Sequence, residues 1–548
     1  MKVLILKGEI MKKRNMIGLV TISLGLAIIL AACGGKTSNT QDSTLTVGTN
    51  ANIGSANSVK YSDTGSVEAI QNTFEGLYRF NAKGQPVKAL AKTVSTNKDK
   101  TVYTYTLQHS KWSNGQSVTA ADFVYAWQQL GNPKTASPNA QRLDFLKNGY
   151  DVRNGKKPVS QLGVKALGKY RLQVTLESPI TYLPEILTGA PFMPLNKAYV
   201  EKMGSKYATD SKHLISNGPF LLKKWTGTND TWEYVKNNDY WDKKAVKTKK
   251  IDVQVVKSVA TGANLFETKK LDYTMLSNEY VSRYQNKAGF HVKKSPSIGY
   301  LGFNTKRKVT GNRHVRLALA MSFNKKALTK QVMKDGSTPL NGIVPANFTF
   351  NPKTGEDFRK YSGDLVPYDL KKAKAEWALA KKQLGIKSAS IQILAADTPE
   401  AKQVVEYLQA EYEKNLPGLH VTIHQVPLKQ RLRMTTAYNF DFVYGTWAPD
   451  FADPINFIGD GGAYHLDSDY KNKTYWNDLK EARGKYATDS TERYQVLKNA
   501  EQQVVQRDAF MAPVFQGANA YLQNPKVKGL AVSPYGTTLF YRNVKINS

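Results

Sequence analysis

Among the seven histidines in 548 residues, only His420 and His424 form a close pair. Four apart on what reads as a strand, they share a face. No third ligand stands at a spacing a metal site needs, so ordinary edge histidines are expected. The one cysteine, Cys33, excludes an intrachain disulfide. The chain lacks a Gly-x-Ser-x-Gly elbow, a His-Glu-x-x-His helix and a Gly-x-x-x-x-Gly-Lys-[Ser/Thr] phosphate loop. Nothing therefore points to acyl transfer, zinc hydrolysis or ATP hydrolysis, and no catalytic residue and no cofactor are expected. A triad built from distant residues is a matter of geometry and stays open. The acidic residues that stand out lie in Trp447-Ala448-Pro449-Asp450-Phe451-Ala452-Asp453-Pro454. The prolines make this a stiff loop. It follows a strand read from Phe440 to Tyr444, at the carboxyl end where α/β proteins gather ligand sites. Asp450 either presents its carboxylate to a ligand or caps a local turn; Asp453, before Pro454, reads as a turn residue.

The elements that must position this loop alternate. Leu45–Val47 opens the first strand and residues 101–107 make a second, β-branched and aromatic. Ser113-Asn114-Gly115 turns the chain, and Thr119 caps a helix from Ala120 to Leu130. Asp369 caps a helix whose Leu370, Ala373, Trp377 and Leu384 recur at helical spacing and which Gly385 stops. A strand at Ile391–Leu394 follows. A helix opens at Thr398-Pro399-Glu400 and ends near Leu416-Pro417-Gly418. The strand His420–Val426, another helix and the strand Phe440–Tyr444 complete a mixed α/β region.

Cys33 belongs to a different signal. Lys12-Lys13-Arg14 precede an apolar run from Met16 to Leu30, closed by Leu30-Ala31-Ala32-Cys33. Basic, apolar, then small residues make a secretory signal. The run is shorter than the roughly 20 residues a span needs. The closing tetrapeptide resembles a bacterial lipoprotein box. That implies a signal peptide over 1–32, lipid on Cys33, and a chain held extracytoplasmically on a membrane it does not cross, as on a Gram-positive-like surface. A signal-anchor helix and a buried structural cysteine are the competing readings, opposed by the placement of Cys33 straight after small residues. Met11 fits a signal start better than Met1. Residues 33–44 read as a flexible tether.

The net charge is +33. The lysines are scattered and no recognition motif accompanies them, so no nucleic-acid partner is expected. A basic surface suits anionic lipids or wall polymers, or solubility alone. The chain is long enough for two or three domains with their own cores.

Several segments then resemble the oligopeptide-binding class of solute-binding proteins that serve bacterial ABC importers. They are Phe74-Glu75-Gly76-Leu77, the stretch Tyr103–Ala140, Gly155-Lys156-Lys157-Pro158, Leu162–Ala166, Ser216-Asn217-Gly218-Pro219-Phe220 with Trp225, Asn238-Asp239-Tyr240-Trp241, and Asn304 with Val315–Ala320. The resemblance implies a two-lobed periplasmic-binding-protein-like fold (type II, cluster C) with an extra inserted domain and a hinge. Mapped here, lobe I is 45–74, 197–299 and 516–548, the extra domain 75–196, and lobe II 300–515. It also implies a monomer that engulfs an oligopeptide and delivers it to ABC permease subunits.

A free peptide carries an ammonium, a carboxylate and unpaired backbone groups. Engulfing it costs about 1–3 kcal/mol for each group left without a partner, so the site needs a carboxylate for the ammonium and strand edges for the backbone. The resemblance gives the ammonium to Asp450, with backbone groups of Thr446 and Ala448 beside it and Trp447 adjacent. Ser62-Asp63-Thr64 is expected to pair with the peptide backbone from the first lobe, and Asn304 is a further contact candidate. The pattern is broken at Tyr444, Thr435 and Ala401, where relatives carry bases that can meet the peptide carboxylate, and at Asn139, which replaces an aromatic residue lining the ligand path. A signalling-peptide or metal-complex receptor on the same fold, an extracellular hydrolase, and an adhesin or chaperone are the alternatives.

Overall fold

The computed structural model describes residues 44–459 and 470–547. The signal-peptide, tether and Cys33 readings lie outside the described residues. Among those described, no helix is long and apolar enough to cross a membrane.

Thr44–Thr49 (β1) alternates half-buried threonines with fully buried Leu45 and Val47, the pattern of a strand covered on one face. The helix α1 (Thr64–Thr73) follows. An inserted antiparallel sheet contains β2 (Ala91–Thr96) and β3 (Val102–Leu107). The helix α2 (Ala120–Gly131) packs beside it, its start fixed by the Asp122 carboxylate accepting the Thr119 N–H at 2.7 Å. Strands β4 (Val164–Gly168) and β5 (Arg171–Thr175) complete the order β2-β3-β5-β4. The chain then makes β6 (Phe220–Lys223), β7 (Thr231–Lys236), β8 (Lys250–Val255), β9 (Tyr273–Leu276) and the long β10 (Phe290–Phe303). Further on come α3 (Leu370–Leu384), β11 (Ala389–Ala396), α4 (Pro399–Asn415), β12 (Leu419–Val426), α5 (Leu428–Thr436), β13 (Phe442–Trp447) and β14 (Met511–Gln523).

One mixed sheet joins most of these in the order β12-β11-β13-β10-β14-β9-β1-β8-β7-β6. Its centre is the antiparallel pair β10–β14, of 14 and 13 residues. Their register shifts between Lys294 and Ile298 and again between Gly299 and Tyr300, and such irregularities bend a ladder. Gly299 is required there: a Cβ would stand 2.4 Å from Cε1 of Phe515. One buried apolar cluster runs from Ile298 to Phe515. A second gathers Leu45 through Tyr273 with Val527–Val544, including Trp112, Phe123 and Trp127 of the inserted region. The molecule is thus two-lobed about the central strand pair, and the inserted domain shares its apolar cluster with the first lobe.

The strand expected over Phe440–Tyr444 runs instead from Phe442 to Trp447. Tyr438 sits in the left-handed region at φ 55°, and the carbonyls of Tyr438 and Phe440 accept from the Asn304 amide at 3.0 and 2.8 Å, so the ladder begins later. Thr446 and Trp447, opposite Gly299 and Ile298 of β10, extend it. His420 and His424 on β12 take separate partners. His420 Nδ1 lies 2.8 Å from Glu413 Oε1, and His424 Nδ1 lies 3.1 Å from Gln392 Oε1.

Candidate functional site

The end of β13 delivers the proline-flanked loop. Thr446 is exposed, whereas Trp447 is half-buried and its indole donates to Asn456 Oδ1 at 3.1 Å. Ala448 is exposed and Pro449 buried, so the loop is rooted at its proline. The Asp450 side chain is 40% exposed, and its Oδ1 accepts from Arg142 Nη2 at 2.7 Å. Arg142 belongs to a short 3-10 turn, Ala140–Leu143, of the inserted domain. Next to this ion pair, Phe451 stacks on Tyr182 with ring centroids 4.3 Å apart and planes 2° from parallel. These two contacts link the inserted domain to the second lobe around a cavity of about 520 Å³, lined by Arg142, Phe145, Tyr182, Trp447, Asp450 and Phe451 among others.

The electrostatics centre on Arg142. Burial alone would lower its pKa, but Asp450 and Tyr61 hold it above the ordinary guanidinium value. Burial pushes the Tyr61 phenol up to about 12, with Arg142 opposing and Asp450 adding to the rise. Tyr61 is therefore a neutral neighbour of a charged pair. Asn139, 8% exposed, donates Nδ2 to the Tyr61 carbonyl at 2.8 Å, and Ser137 Oγ donates to the Val59 carbonyl at 2.5 Å. Asn139 is thus a strut that fixes the 59–61 segment against the turn carrying Arg142. Arg142 has no local sequence signal: its partner lies 308 positions away.

Other expected residues are placed differently. Asp63 caps α1, accepting from Ser66 N at 2.8 Å and Ser66 Oγ at 2.7 Å, and Thr64 is the first residue of that helix. Asp63 is the extended N-cap and Thr64 opens the helix, so neither belongs to a strand of the sheet. Asn304 spends both amide hydrogens on Tyr438 and Phe440. It follows the end of β10 that pairs with Phe442, whereas Trp447 pairs with Ile298, so it lies at the opposite end of β13 from the loop. Tyr444 is 4% exposed. Burial raises its phenol, Asp335 and Glu400 add to the rise, and Arg431 opposes it. Thr435 turns its hydroxyl onto the Arg431 carbonyl at 2.8 Å, and Ala401 is buried in the first turn of α4. Asp453 does accept from Ile455 N at 3.0 Å as a turn residue. It also takes both ends of the Arg493 guanidinium, at 2.6 and 2.9 Å, in a pair less than a tenth exposed. The sequence reading missed that second role.

Residues 85–461 match the family model of bacterial extracellular solute-binding proteins, family 5 (middle). The chain belongs to that family. Among its relatives, a dipeptide-binding protein of Lactococcus lactis subsp. cremoris is 34% identical over 95% of this chain and 97% of its own. Two solved structures each cover 92% of this chain and 99% of theirs. Listeria monocytogenes OppA bound to peptide is 38% identical with a TM-score of 0.79. The substrate-binding domain of an oligopeptide ABC transporter from Bacillus anthracis is 35% identical with a TM-score of 0.80. The two lobes, inserted domain and connecting strand pair of this solute-binding protein are the periplasmic-binding-protein architecture.

Proposed function

We propose that this solute-binding protein captures oligopeptides between its two lobes and delivers them, chemically unchanged, to an ABC importer. In this reading it works as a monomer tethered outside the membrane by lipid on Cys33. The carrying observation is Asp450. Arg142 holds only one of its oxygens, and the carboxylate borders a cavity walled by both the second lobe and the inserted domain. A carboxylate offers about four acceptor sites, so a peptide ammonium can join Arg142 on it. The names of the relatives above support the cargo class. Phe451 on Tyr182 and Arg142 on Asp450 join the inserted domain to the second lobe, so opening between them would break both contacts. Peptide capture then shifts an open–closed equilibrium by adding contacts present in the closed form alone. Affinity near micromolar, roughly 8 kcal/mol, suits capture followed by release.

The test is mass spectrometry of small molecules extracted from natively purified protein, followed by calorimetric titration of short peptides with free or acetylated amino termini. A ladder of mixed peptides, with acetylation weakening binding, is the expected result. Extracts free of peptide, with no heat on titration, refute the reading. Cleaved peptide after long incubation would instead establish a hydrolase.

A further inference from the structure

The lysines scattered along the sequence gather at one end of the first lobe, and the sheet register is what gathers them. Thr44 of β1 lies opposite Lys250 at the start of β8. β1 is also parallel to β9, with Val47 opposite Tyr273, so Lys270, just before β9, is level with Thr44. Tyr273 in turn faces Gln523 at the end of β14, and the chain continues from there to Lys526. Lys528 then pairs with Lys545 in a two-stranded ribbon. Two hydrogen bonds fasten that ribbon to the same end of the sheet. Asn547 N donates to the Lys526 carbonyl at 3.0 Å, and Thr248 Oγ1 donates to the Val544 carbonyl at 2.9 Å. Lys247, Lys270, Lys526, Lys528 and Lys545 thus surround the start of β1. All five are exposed, and among the described residues none of them makes an ion pair. Two carboxylates at this end are engaged: Asp272 accepts from Thr46 N and Oγ1 and from Asn524 Nδ2, and Asp252 holds Lys250 at 3.0 Å. Asp239 and Glu267 are exposed, too few to balance the lysines.

Two facts say what covers this surface. Thr44 stands roughly eleven residues after Cys33, a length of chain that spans at most about 40 Å. Lipid on Cys33 therefore keeps this end of the lobe within reach of a bilayer. Bacterial bilayers carry anionic headgroups, and clustered lysines are drawn to such a surface; one lipid anchor and a basic patch together hold a protein far better than either alone. The patch is also remote from the cavity. The β10–β14 pair runs from Phe290 and Leu522 at the basic end to Gly302 and Met511 in the second lobe, and Trp447, which leads into the Asp450 loop, joins it at Ile298. Docking by the lysines leaves the cavity uncovered.

We propose that the lysine-rich end of the first lobe, around the start of β1, docks on the anionic lipid headgroups of the membrane that anchors the protein. The proposal rests on the reading that Cys33 carries lipid. The test is lysine acetylation, read site by site by mass spectrometry, on the full-length lipoprotein purified from membranes and reconstituted into vesicles. One set of vesicles is phosphatidylcholine alone, the other equal parts phosphatidylcholine and phosphatidylglycerol. In the anionic vesicles all five lysines should be protected several-fold, whereas Lys371 and Lys374 of α3 should react as in phosphatidylcholine. Protection should vanish in about 1 M salt, where screening acts within about 3 Å. Replacing Lys526, Lys528 and Lys545 together by Gln should expose Lys247 and Lys270 as well, with melting temperature and peptide affinity unchanged, and replacing the same three by Arg should keep them protected. Equal reactivity of the five in both vesicle types overturns the proposal. So does protection by a soluble poly(glycerol phosphate) without protection by anionic vesicles, which assigns the surface to a wall polymer. A protein that floats with neither vesicle type defeats the lipid reading of Cys33, whereas one that floats with both and shows no protection defeats only the docking surface.

Discussion

Asp450 and Asp453 occupy the same loop and meet opposite surroundings. Asp450 is partly open to solvent, and its pair with Arg142 is of the exposed kind that contributes under about 1 kcal/mol to stability. Its value lies in binding. Asp450→Asn should weaken short-peptide binding by at least ~1.5 kcal/mol, the scale of a charge-assisted hydrogen bond, with little change in melting temperature; paired titration and thermal melts check both. Asp453→Asn does the reverse. It strands the buried Arg493 charge, and should cost about 3–5 kcal/mol of stability in denaturant titration. A third carboxyl sets a pH dependence. Glu68 is buried against Tyr541 Oη at 2.6 Å and Leu539 N at 3.1 Å, and burial pushes its pKa up to about 7. The folded state therefore binds a proton that the unfolded chain has released above about 4.5. Stability from this group is complete at acid pH and falls as pH rises from about 4.5 to 7. Glu68→Gln should flatten that slope in melts recorded across the range.

Helix ends were legible because their signals are local. The Asp369 cap accepts from Lys372 N at 3.0 Å, and Gly385 sits at φ 64° where α3 stops; both were readable from residue type alone. Asp369→Ala should cost about 1 kcal/mol, measured by chemical denaturation. The extent of β13 was not legible, because β10 sets it: Thr446 and Trp447 are strand residues only by virtue of Gly299 and Ile298. The loop holding Asp450 was found from its prolines and the strand before it. Its partner Arg142 and the Asn139 strut depend on contacts between distant segments, which no spacing in the chain encodes. Asn304 shows the converse. Its amide closes a structural corner on the carbonyls of Tyr438 and Phe440, a role its local sequence does not announce.

At the scale of the molecule, the inserted domain leans on the first lobe through a common core and touches the second through small contacts at the cavity. In the proposed capture cycle, opening therefore separates the second lobe from the other two bodies together. Tyr182→Ala removes the stacked pair, worth about 0.5–1.5 kcal/mol, and should speed peptide release several-fold in stopped-flow displacement while leaving the fold intact. The placement of β14 has a further consequence. That strand, near the end of the chain, lies between β10 and β9, and Tyr541 closes onto Glu68 from still further along. A polypeptide emerging amino end first cannot complete its first lobe until nearly every residue is out. The first lobe is therefore among the last parts of the described chain able to lock.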